Sequence, residues 1–236
     1  MRIAALYAYP VKACAAVALE EASLDAHGLT LDRRYAFLDS AGKALTQRSH
    51  PMLRAIRPAL GSRNLHLDLG GLATVAIPLQ AFSARGVAEV WGRRIGARLA
   101  PAALLEPVSA FLGAAATLAA LDPASDSAFV DAEPVLVTST ASLAALEQDA
   151  SAMERFRPNI VVEGAASLEE LGWGELRAGE TVLQCVRACE RCEVIGEALL
   201  RRVHARLAGR FGVYCRVARA GRLARGEPLS AVPGPR

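Results

Sequence analysis

Leu65-His66-Leu67-Asp68-Leu69 sets the fold class of this chain. Its leucines alternate with polar residues at period two, the pattern of a strand with one buried face. Working outward, Ala73 to Ile77 and Val87 to Trp91 are further apolar runs of strand length. On the N-terminal side, Ile3 to Tyr7 and Val17 to Leu24 read the same way, the second through Leu19, Ala22 and Leu24. Tyr35 to Leu38 and Leu45-Thr46 flank Asp39 to Lys43, a hairpin-like loop containing Gly42. Short strands at this spacing predict a mainly β protein built on a closed or nearly closed barrel.

Further along, the character changes. Ala102 to Leu112 reads as a helix opened by Pro101 and broken or kinked at Pro107. Pro123 to Ser127 is turn-rich and divides the chain, giving two domains expected at 1–120 and 121–236. Pro134 to Val137 reads as a buried strand, and Ser139 or Thr140 caps a helix running through Leu143 and Leu146. Ile160 to Val162, Thr181 to Val186 and Val213 to Val217 are strands, and Pro233 to Arg236 is a proline-containing tail. Leu199, Val203 and Leu207 fall at i, i+4 and i+8 with arginines elsewhere on the wheel, an amphipathic helix peripheral to the sheets.

The bulk properties exclude several classes. With 236 residues, 53% of them hydrophobic and 22% charged, the chain can bury a sizeable core and is not a disordered sequence. Its formal net charge of +3 comes without a basic stripe, so a nucleic-acid partner is not expected. Pro10 and Lys12 interrupt the apolar N-terminus, and no apolar run is long enough for a membrane span. A cytoplasmic protein without a membrane partner is expected.

Five cysteines, at 14, 185, 189, 192 and 215, are an odd number for a disulfide framework. Cys185-x3-Cys189-x2-Cys192 has the spacing of the iron–sulfur loop of radical SAM enzymes. The strand Thr181 to Val186, however, points Cys185 into a sheet, and little chain remains after Cys192. Cys189-x2-Cys192 is half a zinc site, but no second pair completes it and His204 reads as a helix-surface residue. Cys185 and Cys215, within apolar strands, read as small core residues. Cys192 differs, because it comes after the strand and has Arg187 and Arg191 nearby. Positive charge favours the thiolate, the form that binds soft metals.

Several stretches taken in order resemble a known family. Arg155-Phe156-Arg157-Pro158-Asn159-Ile160-Val161-Val162, Trp173 and Cys189-Glu190-Arg191-Cys192 resemble the MOSC domain. That domain occurs in molybdenum-cofactor sulfurases and in amidoxime-reducing components. Tyr9-Pro10-Val11-Lys12, Gly28-Leu29-x-x-Asp32-Arg33 and Leu45-Thr46-Gln47-Arg48 resemble the β-barrel domain that precedes MOSC in those proteins. Pro134 to Leu143 also matches.

The resemblance implies a molybdenum cofactor (Mo-molybdopterin), with Cys192 as metal ligand and catalytic residue. It implies that Lys12, Arg33, Ser139, Arg157, Asn159 and Arg191 bind the cofactor and, at the level of the family, pyridoxal phosphate binding. The chemistry is compatible: converging cations suit the phosphate of a pyranopterin, and an amide suits a pterin edge. A helix start near Ser139 would add backbone N–H groups for an anion. The implied activity is two-electron reduction of N-hydroxylated small molecules, with electrons from a separate flavin or iron–sulfur donor. The alternative is a non-redox cofactor carrier or a persulfide sulfur-transfer protein. Two departures stand out. Ala13 comes after Lys12 where the family usually has serine. Glu193-Val194-Ile195-Gly196 replaces the Thr-x-Val-Asp-Pro-x-x-Gly loop of the amidoxime-reducing proteins.

Overall fold

The computed structural model describes residues 1–234, so the last two residues of the proline-containing tail lie outside the described residues. Strands hold 44% of the chain and helices 21%, which is the mainly β class expected. The chain divides into two compact units. One is formed by Met1–Ala8, Ala18–Thr30 and the chain from Ala132 on, and contains Cys192. The other is formed by Tyr9–Val17 and Leu31–Asp131, and contains Lys12.

The Cys192 unit is built on an eight-stranded sheet. Its order is Ser230–Pro233, Trp173–Ala178, Thr181–Glu190, Arg210–Arg219, Val135–Ser139, Ile160–Glu163, Arg2–Ala8 and Val17–Leu19. Val135–Ser139 pairs parallel with Ile160–Glu163 and antiparallel with Arg210–Arg219. Every residue of Val135–Ser139 is buried, as a strand covered on both faces requires. Ile3, Val135, Val137, Ile160, Val162 and Val213 pack on one side. Val161 turns to the other, where Leu143, Phe156, Leu199, Val203, Leu207 and Phe211 cover it. A three-stranded sheet of Gly221–Ala224, Glu21–Asp25 and Gly28–Leu29 completes the unit.

The helix Glu197–Leu207 obeys its sequence pattern, burying Leu199, Val203 and Leu207 while Arg201 pairs with Glu197 one turn back. The helix capped by Ser139 is shorter than expected. It spans Thr140–Ala144 and loosens into single turns at Ala145 and Leu146 before Glu147 takes a positive φ.

The Lys12 unit carries two antiparallel sheets. One runs Tyr35–Leu38, Thr117–Leu121, Arg93–Leu99 and Ala84–Val90; the other is the meander Ile56–Leu60, Asn64–Leu69 and Thr74–Pro78. Leu65, Leu67 and Leu69 are buried against Phe37, Leu53, Ile56 and Leu118, the face that their alternation selects. The Asp39 to Lys43 loop closes as a hairpin turn, with the Asp39 carboxylate accepting from the backbone N–H of Ala41 and of Lys43. Ala102 to Leu112 is a 3-10 turn, Ala102–Leu105, leading into the α-helix Glu106–Leu112, with Pro107 in the first turn where its missing N–H costs nothing.

Two expectations are corrected. Val17 to Leu24 is two strands, Val17–Leu19 and Glu21–Asp25, in different sheets with Glu20 between them. Among the described residues no sheet closes into a barrel, although backbone bonds of Met1 and Ile3 with Gly226, Glu227 and Leu229 link the first strand to the segment leading into the edge strand Ser230–Pro233. Among the described residues no helix is long and apolar enough to cross a membrane.

Phe156 and Phe211 stack at 4.0 Å between ring centroids, both fully buried. Phe211→Ala removes this contact and leaves a cavity, so it should cost about 3–5 kcal/mol in a urea or thermal melt. A loss below about 1 kcal/mol would show that the site collapses freely.

Candidate functional site

In the Cys192 unit the candidate residues are set out by two arginines. The strand Thr181–Glu190 runs past Cys189, whose side chain is sealed in, and delivers Cys192 to the start of a 3-10 turn, Glu193–Ile195. Cys192 stays partly exposed. Arg191 donates to the Cys189 sulfur at 2.9 Å and to the Phe156 carbonyl at 2.7 Å, with its guanidinium 5.2 Å from the Phe156 ring centroid. Its Nε is buried with no protein partner. Arg155 reaches the Ile195 carbonyl from the same helix end. These bonds tie Arg191 and Ile195, on either side of Cys192 in the chain, to Arg155 and Phe156, which lead into Arg157. Arg157 ends the 3-10 helix Ala150–Phe156 at φ 58 and ψ 44. A left-handed arginine before proline costs roughly 1–3 kcal/mol and persists only where its surroundings impose it.

Asn159 and Ser139 both make buried hydrogen bonds within the protein. The buried Asn159 accepts from the Leu136 N–H at 3.1 Å and donates to the Tyr7 carbonyl at 3.2 Å, a clamp between strands. Ser139 accepts from the Ser142 N–H, and its one hydroxyl proton lies within hydrogen-bond distance of the Ser142 hydroxyl and of Glu170. It lies three residues beyond Leu136 along the strand, roughly 10 Å at ~3.3 Å per residue. The structure therefore does not bring Ser139 and Asn159 together.

Glu170, which sequence reasoning missed, is fully buried. Oε2 receives both serine hydroxyls, at 3.1 and 2.9 Å, while Oε1 has no partner. Burial raises its pKa, and the two serines only partly offset that. Beside Glu169 in Leu168-Glu169-Glu170-Leu171 it reads as a solvated charge, and no signal in the sequence separates the two.

In the Lys12 unit, Val11 to Cys14 forms a tight turn, Cys14 N–H to Val11 carbonyl at 3.1 Å, with Ala13 at φ 67 in the position that favours glycine. That turn directs the almost fully buried Lys12 onto Asp131 and the Phe129 carbonyl. Arg33, at φ 47, donates to the buried Asp32 and lies 4.8 Å from the Tyr9 ring centroid. Asp32 also accepts from the Tyr9 N–H at 2.7 Å.

Trp91, at φ 51, donates to Asp131 at 2.7 Å and carries Arg48 5.2 Å above its ring centroid. Desolvation pushes the Asp131 carboxyl up, but Lys12, Trp91 and Arg33 together hold it below the usual range. Burial opposes the charge on Arg33, and Asp32 outweighs it. Lys12 and Arg33 are thus brought together around Asp131.

A cavity of about 560 Å³ opens here, lined by Lys12, Lys43, Leu45, Thr46, Arg48, His50 and Trp91 among others. Gln47 donates to the Ala13 carbonyl at 2.6 Å, so the stretches Tyr9–Lys12 and Leu45–Arg48 meet at this cavity. Among the described residues no three of His, Cys, Asp and Glu cluster as a protein-only metal site needs. His204 is exposed on its helix.

Because burial raises the Glu170 pKa, its favourable contribution is present below the ordinary carboxyl range and is lost as pH rises through the raised folded value. Glu170→Gln should therefore flatten the fall in urea midpoint as pH rises above the ordinary carboxyl range. An unchanged pH profile would remove Glu170 as its source.

Comparison with known proteins extends this picture. The family model of the MOSC N-terminal beta barrel domain matches residues 1–115, and that of the MOSC domain matches residues 124–230. A molybdenum cofactor sulfurase of Drosophila grimshawi is 31% identical over 206 residues, covering 79% of this chain and 27% of the relative. Mitochondrial amidoxime-reducing component 1 of Homo sapiens is 30% identical over 217 residues, covering 80% of this chain and 64% of the relative. The chain thus spans about a quarter of the sulfurase and just under two thirds of the amidoxime-reducing component. Among solved structures, the YUAD protein of Bacillus subtilis aligns with 97% of this chain and 93% of its own at 14% identity, with a TM-score of 0.47. The two family matches are consecutive and take in most of the length: the chain belongs to the MOSC family, with a MOSC N-terminal beta barrel domain preceding its MOSC domain.

Proposed function

We propose that this chain is a molybdenum-cofactor reductase of N-hydroxylated small molecules that holds its metal through the thiolate of Cys192. The observation that carries the reading is the Arg191 bridge. One guanidinium grips Cys189 and the Phe156 carbonyl, and on either side of that grip the chain presents a partly exposed thiol and a left-handed arginine.

The donor set of this unit fits such a cofactor. Cys192 is a soft ligand for a soft metal, Arg157 is a cation for the pterin phosphate, and Arg191 Nε is a buried N–H still without a protein partner. When bound, the cofactor supplies the two-electron chemistry. Arg191 acts as a positioning residue: it fixes the backbone on which Cys192 stands. Lys12 and Arg33 carry the same proposed role by resemblance. The relatives named amidoxime-reducing components support the substrate class. Electrons come, in this reading, from a separate flavin or iron–sulfur partner.

The sulfurase relatives favour a second reading, in which Cys192 bears a persulfide and the protein transfers sulfur or carries cofactor without redox turnover.

Protein purified from a host that makes the cofactor should contain molybdenum and pterin in stoichiometric amounts by mass analysis, and Cys192→Ala should lose the metal while keeping its fold. Sulfane sulfur on metal-free protein would select the second reading and sink the first. Arg157→Ala should weaken cofactor retention by about tenfold to a hundredfold, the worth of one charge-assisted hydrogen bond. Because the left-handed backbone is strained for any side chain, its melting temperature should change little. Equal losses of folding and retention would give Arg157 a structural role instead.

A further inference from the structure

Two cysteines outside the proposed cofactor site face each other across the large sheet. Cys185 on Thr181–Glu190 is the direct register partner of Cys215 on Arg210–Arg219. Their sulfurs are 3.6 Å apart. Directly opposed residues of antiparallel strands have Cα atoms about 4.5–5.5 Å apart, within the roughly 4.4–6.8 Å that a disulfide spans. The bond can therefore form without moving the strands, by rotating two side chains that already touch.

The two sulfurs are not equivalent. Cys215 is fully buried, and Cys185 is partly exposed. Cys215 donates its S–H to Cys185, which holds the Cys185 thiol below its ordinary value, and the same contact together with burial raises Cys215. One sulfur is thus reachable and nucleophilic, and the other is held in reserve behind it.

We infer that Cys185 and Cys215 form a reversible dithiol–disulfide pair, oxidised by small disulfides of the glutathione class. In the first step the Cys185 thiolate attacks one sulfur of the small disulfide, forming a mixed disulfide and releasing one small thiolate, which takes up the proton Cys185 gave up. In the second step the Cys215 sulfur loses its proton and attacks the Cys185 sulfur, releasing the second small thiol. Two protein thiols are oxidised by two electrons and one small disulfide is reduced to two thiols, so the exchange balances. A register shift lies immediately after Cys185, between it and Arg187. The bond therefore pins the register at the irregular point of the strand that leads on to Cys192. Nothing in this inference depends on the cofactor.

Reduced protein is incubated with oxidised glutathione, quenched with acid, freed of small molecules and titrated for thiols in denaturant. The count should fall from five to three. Peptide mapping should show Cys185 joined to Cys215, and dithiothreitol should restore all five. Cys185→Ser should prevent the cross-link while Cys192 still reacts with a thiol label. Cys185→Ala, a truncation at a partly exposed position, repeats the test if the serine variant folds poorly by circular dichroism. Five surviving thiols, a glutathione adduct that stays on Cys185 with Cys215 unreacted, or a link mapped to Cys189 and Cys192 would each overturn the inference.

Discussion

The side chain of Asn159 joins segments from distant parts of the chain. Its carbonyl accepts from Leu136, its amide donates to Tyr7, and its backbone pairs with the same two residues. A buried primary amide left without partners would cost about 1–3 kcal/mol for each lost group, so the three segments are fixed where all of these bonds can be made. The parallel pair Val135–Ser139 and Ile160–Glu163 grows out of this junction, and the N-terminal strand Arg2–Ala8 joins it. The residues just upstream of Asn159, including Phe156 with the carbonyl that Arg191 holds, are placed by the same anchor. Asn159 therefore positions the residues that lead into the proposed site.

The cationic residues are compensated before any ligand arrives. Lys12 has Asp131, Arg33 has Asp32, and Arg191 has a carbonyl, a thiol and an aromatic face. Buried or half-buried cations need such partners to keep their charge out of water.

Much of the fold was legible because strand alternation survives in single sequences. Leu65, Leu67 and Leu69 named their buried face, and Leu199, Val203 and Leu207 named theirs. The elements that escaped did so for physical reasons. Ile56–Leu60 holds Pro58, which argues against a strand, yet the segment lies at a sheet edge where a missing N–H is tolerated. Arg93–Leu99 and Thr117–Leu121 are rich in alanine, glycine and arginine, residues with weak strand preference that pairing overrides. Thr181–Glu190 reads as ending near Val186 because Arg187 and Glu190 interrupt the apolar run, whereas pairing with Arg210–Arg219 carries it to Glu190. Of the candidate site, the order of motifs named residues, but not their partners in the protein. Lys12 and Asp131 are 119 positions apart, and nothing local to Asp131 marks it as the counter-charge. Cys185 and Cys215, read as two small core residues, are one contact that only the register reveals.

The unit that carries Cys192 is assembled from segments near the start of the chain and from everything after Asp131, with the other unit encoded between them. On a ribosome, Arg2–Ala8 emerges long before Ile160–Glu163, its neighbour in the sheet, has been made. For most of translation this strand has a bare edge and an apolar face, while the central segment has nearly all of its own pairing partners and can settle first. Non-local pairing of this kind is slow and exposes sticky surface. Yield in a cell should then depend on chaperone supply and elongation speed as much as on final stability, and a circular permutant that begins near Ala132 would remove the wait.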